Sequence, residues 1–333
     1  MTFRPTSLLL AAAAVVAVCP RPAFAVDVVE TVDGERIRGR EPTVTRAGLT
    51  FVVAGQERFV PACRVVRVDW DGTPSELRLV DAKADERPLD ALDDYARLLA
   101  DAAGRVRTEI AFREAKLAAR VALGEAGDGS DATIETARAA ERLRKFVASA
   151  PETYRTDAAA RWLGRVALDA GDADAIGFAA RVLADSPTPL DRAVGRALAA
   201  AAERSSTSAL FDACEADIEG PLGEDLGPAP AAVRYEARLL VASAARFAGL
   251  DDAAGRYTRL IDDLGPVDFG PVDATRAAAF FGRAEASFAA GDADSARLDL
   301  QRLVWLTPHL RARAADASAR LAQTEGGDAG GAE

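Results

Sequence analysis

Apolar and polar residues alternate along this chain from Val26 to Val68, and beyond that point apolar residues recur at intervals of three and four. Alternation sends successive side chains to opposite faces of a strand, whereas the longer interval marks one face of a helix. The first regime predicts a strand at 26–32 (VDVVETV), a tight turn at Asp33-Gly34 and a return strand at 36–39 (RIRG). A third strand follows at 49–53 (LTFVV), then a turn at Gly55 and a strand at 58–60. A one-turn connection at 61–64 (PACR) leads to a last strand at 65–68 (VVRV). So many short strands in so little chain predict a small, strongly bent β-barrel over residues 26–72.

Residues 73–87 carry turn residues and charge without an apolar period, and they read as a linker. A linker of that kind implies that the helical part folds without the barrel. The helical regime occupies residues 88–323. Pro88 opens it, since a first-turn proline gives up no needed hydrogen bond, and the first helix bends at Gly104. Helix pairs are then expected at 105–124 with 131–149, 155–170 with 173–185, and 189–203 with 206–217. Two more follow at 230–248 with 251–264 and at 273–290 with 293–306. A last helix at 309–322 bears Arg311, Arg313 and Asp316 and suits the polar cap of a stacked array. Residues 324–333 are Gly-rich and acidic and read as a disordered tail.

The pair from Ala277 to Pro308 carries the most information. Phe280, Ala284 and Phe288 stripe the first helix, Gly291 ends it, and Asp292 can cap the next. The second helix runs through Ala296, Leu300, Leu303 and Val304 until Pro308 stops it. Small residues at Ala284 and Ala296 let two antiparallel helices cross closely. The spacing from Ala296 to Pro308 recurs from Ala139 to Pro151, from Ala175 to Pro187 and from Ala254 to Pro266. On Ala284, Gly291, Asp292, Ala296, Leu303 and Pro308 the unit resembles a tetratricopeptide repeat (TPR). Arg283 stands where that family usually carries a large apolar residue. The resemblance implies a right-handed TPR-like α-solenoid of about five helix pairs, with first helices lining a concave surface that binds proteins or peptides. On this chain that surface would present Arg161, Arg165, Glu236, Arg246, Phe281 and Glu285. The segment 26–72, through Asp33-Gly34, Ile37-Arg38-Gly39 and Val60-Pro61, resembles the small Sm- or SH3-like barrels that precede helical repeats in exported bacterial proteins.

Composition narrows the role. Met1 to Ala25 reads as a signal peptide, with Arg4, an apolar run from Leu8 to Val18, and Ala23-Phe24-Ala25 as the cleavage pattern. Cleavage after Ala25 predicts an exported, periplasmic or extracellular protein with no membrane insertion once the leader is gone. Val18 is larger than a lipoprotein signal tolerates before Cys19, so ordinary cleavage is the expectation. Losing Arg4 and Arg21 with the leader takes the formal charge from −11 to −13. That balance argues against nucleic acid or anionic lipid as a bulk-charge partner. Cys63 and Cys214 remain, and two unconnected buried thiols are expected.

Chemistry-bearing constellations are sparse. His309 is the only histidine, so no Ser/His/Asp or Cys/His set assembles without assigning it every role. Spaced Cys and His zinc sites fail on count, and Gly-rich phosphate loops do not occur. Asp172-Ala173-Asp174 and Asp292-Ala293-Asp294 read as helix caps, because the later ligands of a calcium loop are missing. The expectation is therefore a protein–protein interaction scaffold of the cell envelope with no enzymatic activity, cofactor or metal. The alternative is a glycan- or cell-wall-binding accessory that uses the barrel.

Overall fold

The computed structural model describes residues 26–126, 136–204, 207–223, 226–265, 273–306, 314–315 and 317–319. The expected signal peptide, most of the expected cap helix, the acidic tail, Pro266, Pro308 and His309 lie outside them. The protein is mainly helical, with one small antiparallel sheet near its start.

The alternating segment forms β1 (Asp27–Thr31), β2 (Arg36–Val44), β3 (Gly48–Val53), β4 (Gln56–Pro61) and β5 (Val65–Asp69). A single 3-10 turn, Ala62–Arg64, separates the last two. Strand order is β4-β3-β2-β1-β5, so β4 and β5 are edges and the sheet is open where a closed barrel was expected. Gly34 turns the first hairpin at φ +76°, and Val29 pairs with Ile37 across it. A register shift between Arg40 and Thr43 bends β2. Gly39 is needed for packing, since a Cβ there would lie 2.5 Å from that of Phe51. Val29, Ile37, Leu49, Phe51, Val60, Val65, Val68 and Trp70 fill the core face, joined by Tyr154 from the helical part.

Twelve α-helices follow among the described residues. The expected linker contains the first, α1 (Leu77–Lys83), whose Leu77 and Val80 enter the main helical core. Its buried positions Leu77 and Val80, with Ala84 just past its end, keep the helical interval over too short a run to stand out in sequence. The expected bend at Gly104 is a break: α2 (Pro88–Asp101) and α3 (Gly104–Ala122) flank extended Ala102 and Ala103, and Gly104 takes φ +54°. Then come α4 (Thr136–Ser149), α5 (Thr156–Ala170), α6 (Ala173–Ala184) and α7 (Pro189–Glu203). The series ends with α8 (Ser208–Glu219), α9 (Ala231–Phe247), α10 (Ala253–Asp263), α11 (Asp273–Ala289) and α12 (Ala293–Leu306).

Local chemistry explains the boundaries. Gly171 and Gly291 adopt φ +71° and +82° after α5 and α11. The Asp172 carboxylate accepts from the Ala175 N–H at 2.9 Å, and Asp292 from Ser295 at 3.1 Å. Both Asp-x-Asp sequences therefore begin with a helix cap. Each helix packs on the next, and α3, α5, α7, α9 and α11 also meet in series, with α5 touching α9 directly. The odd-numbered helices thus form an inner layer. Ala139, Ala175, Ala284 and Ala296 are buried, and on α10 the buried residue is Ala253 while Ala254 is half-buried. Arg283 binds both oxygens of Asp299 at 2.6 and 2.7 Å and ties α11 to α12.

Sheet and helices are joined by buried arginines. Arg155, just before α5, donates to the carbonyls of Val65 and Val66 on edge strand β5, each at 2.9 Å. The same guanidinium donates to the two oxygens of Glu109 on α3 at 2.8 and 3.0 Å. The Phe112 and Tyr154 rings each lie 4.7 Å from it. Arg113 binds Glu109, Asp81 of α1 and the Val68 carbonyl of β5. These contacts occupy an edge that would otherwise offer free carbonyls to another chain.

A candidate binding cavity in the inner helix layer

The six residues expected to line a concave surface all fall on the odd-numbered helices α5, α9 and α11, and they divide into two environments. Arg161 of α5 is 8% exposed and bonded to Asp191 at the start of α7. It serves the α5–α7 contact and does not face an open groove. Glu236 of α9 is half-buried and lies within electrostatic reach of Arg161 and of Lys116 on α3. Burial lowers the Lys116 pKa, with Glu236 opposing, and its ammonium sits 5.7 Å from the Trp162 ring centroid.

The other four residues converge on one cavity of about 50 Å³. Arg165 comes from α5, Arg246 from α9, and Phe281 and Glu285 from α11. Arg165 is held by a two-pronged bond to Glu125, just past the end of α3, and stacks 5.2 Å from the Trp162 ring. Arg246 bonds Glu285 at 2.9 Å, and both side chains remain a quarter exposed. Burial pulls the Arg246 pKa down, while Tyr257 and Glu285 more than offset it, leaving it raised. Phe281, by contrast, is only 6% exposed.

The remaining walls come from Leu123, Leu168, Asp169, Leu239, Ser243, Tyr257, Ala278 and Gly282. The Tyr257 hydroxyl donates to Ser243 Oγ at 3.0 Å. Its ring lies so close to α11 that a Cβ on Gly282 would come within 2.4 Å of it. Sequence reasoning missed Glu125, Lys116 and Tyr257. Glu125 follows a helix end, and Tyr257 belongs to a second helix, so neither sits on the face the repeat pattern marks. Lys116 had one signal, being among only three lysines in an Arg-rich chain.

A cavity of about 50 Å³ accommodates a few waters or the end of one side chain. Its walls offer two guanidinium–carboxylate pairs and a hydroxyl pair beside aromatic carbon, which suits recognition of a polar tip on an apolar stem. Neither cysteine is poised for nucleophilic work: burial pushes the Cys63 thiol up to about 11, and burial likewise raises Cys214. Both thiols are free, and where two buried thiols were expected Cys214 is buried and Cys63 half-buried. Among the described residues no group of three or more His, Cys, Asp or Glu is placed to hold a metal, and no helix is long and apolar enough to cross a membrane. Comparison with family models, with curated proteins and with solved structures finds no match.

Proposed function

We propose that this chain is an exported, non-enzymatic protein-interaction scaffold of the cell envelope. In this reading its helices form a right-handed TPR-like solenoid behind an Sm/SH3-like module, and residues 1–25 are a leader cleaved after Ala25. The observation that carries the reading is convergence. Arg165, Arg246, Phe281 and Glu285, far apart in sequence, surround one cavity in the layer built from the first helices of the pairs. A preformed cavity of this kind takes a partner side chain with little ordering cost on its own side. Arg161 then supports the layer from within, and Glu236 and the Arg246–Glu285 pair meet the partner at its surface.

The test is affinity capture from envelope extract with the chain lacking residues 1–25, comparing wild type with Ala278→Leu. Leucine at that position fills the cavity from α11. Specific proteins retained by wild type and lost by the variant, at an unchanged melting temperature, support the reading. Capture indifferent to Ala278→Leu counts against the cavity. Retention on cell-wall glycan with no captured protein transfers the role to the sheet.

A further inference from the structure

A second recognition surface lies between α4 and α6, away from the inner-layer cavity. Arg144, Ala173, Asp174, Gly177, Phe178 and Arg181 line an open cleft there of about 510 Å³. Most arginines among the described residues are neutralised by a neighbouring carboxylate: Arg142, two residues before Arg144, meets Glu114 at 3.3 Å, and Arg165 meets Glu125. Among the described residues neither Arg144 nor Arg181 has such a partner. Arg144 leans on the Phe178 ring, 5.9 Å from its centroid, and its Nε is buried with no acceptor. The surrounding charge agrees, because α4 carries Arg138, Arg144 and Lys145 besides the paired Arg142, against Glu141 alone, in a chain of net charge −11.

Gly177 adds an independent observation. Glycine inside a helix is destabilising relative to alanine, and at Gly164 of α5 and Gly195 of α7 packing explains it. A Cβ on Gly164 would lie 2.7 Å from Leu198, and one on Gly195 would lie 2.9 Å from the backbone of Ala184. A Cβ on Gly177 would meet only the Arg181 guanidinium, at an ordinary 3.6 Å. Packing therefore does not require this glycine. What its missing side chain provides is bare helix surface between two unpaired cations.

We infer that this cleft docks an acidic segment of a partner protein. One carboxylate lies between the Arg144 and Arg181 guanidiniums, the partner backbone crosses α6 over Gly177, and the adjoining methylenes rest on Phe178. Asp174 stands at the rim as the one anion. It repels a phosphate dianion and can accept a backbone N–H from the peptide, which favours a carboxylate on an extended chain over free phosphate.

The test uses fluorescence anisotropy on the chain lacking residues 1–25 and a labelled alternating Glu-Gly peptide of roughly ten residues. Binding that weakens with added salt is expected, together with no binding of the corresponding Lys-Gly peptide. Arg144→Gln with Arg181→Gln should raise Kd by about tenfold or more. Gly177→Leu, which fills the cleft and improves helix propensity, should do the same without lowering the melting temperature. The inference is overturned if the Glu-Gly peptide binds no better than the Lys-Gly peptide, or if both variants stay within about twofold of wild type. Displacement of the peptide by an equal concentration of inorganic phosphate overturns it as well, by reducing the cleft to a general anion site.

Discussion

Replacing Arg155 by Met removes the main pin between the sheet and the helices. Arg155 is 5% exposed, and its guanidinium makes four bonds, two to Glu109 and two to the carbonyls of Val65 and Val66. Methionine fills much of the space and satisfies none of those acceptors. Glu109, 2% exposed, would keep only Arg113 at 3.1 Å and the Tyr154 hydroxyl at 2.5 Å. Stripping one partner from a buried pair costs about 3–5 kcal/mol. The depressed pKa of Glu109, which Arg155 shares with Arg113 and Tyr154, is of the same order. Burial alone would raise its pKa, but Arg155 and Arg113 hold it at about 2, against 4.5 for a free glutamate. That depression corresponds to roughly 3 kcal/mol. The sign is that of a carboxylate stabilised in the native state: the contribution is present above pH 4.5 and fades as pH falls toward about 2. Domains are typically stable by only about 5–15 kcal/mol, so the loss should be plain in urea unfolding followed by far-UV circular dichroism. Arg155→Met with Glu109→Leu should be milder than Arg155→Met alone, because no uncompensated charge then stays buried. A single variant costing under about 1 kcal/mol, or a double variant no milder than the single, would refute the reasoning.

Three further outcomes are expected. Ala296→Leu should cost about 1–3 kcal/mol in thermal melts through overpacking, while Ser295→Leu, at an exposed position one residue earlier, should be nearly neutral. Equal effects would contradict the register of α12. Gly282→Ala should destabilise by about 1–3 kcal/mol through collision with Tyr257, whereas Gly177→Ala should stabilise by about 0.4–1 kcal/mol; matching signs would contradict the packing at one of the two glycines. Cys63, its thiol raised to about 11, should resist iodoacetamide at pH 8 in the native protein and react once urea unfolds it.

Helix positions were legible because their signals are local. Gly171-Asp172 and Gly291-Asp292 mark ends and caps directly, and alanine stripes mark crossing faces even where aromatics are few. The strands were legible for the same reason, through alternation and Asp33-Gly34. What stayed hidden depends on distant partners. Arg155 and Glu109 look like surface charges in sequence, yet they are separated by 46 positions and meet in the interior. The apparent linker conceals α1 because only two of its positions, Leu77 and Val80, are buried, too short a run to mark a helix. Arg161 and Arg165 lie one helical turn apart and look equivalent. Only the placement of Asp191 and Glu125 sends the first into a helix contact and the second to the cavity wall.

The central claim is that a partner protein sits on the inner helix layer at the mouth of the cavity. Carboxyl footprinting with a carbodiimide, read by mass spectrometry on the free chain and on its captured complex, tests it without altering a residue. Glu236 and Glu285, half-buried on that layer, should lose labelling in the complex. Asp294, whose side chain is 93% exposed at the start of α12, should label equally in both. Unchanged labelling of Glu236 and Glu285 in a complex confirmed to be intact would contradict the claim.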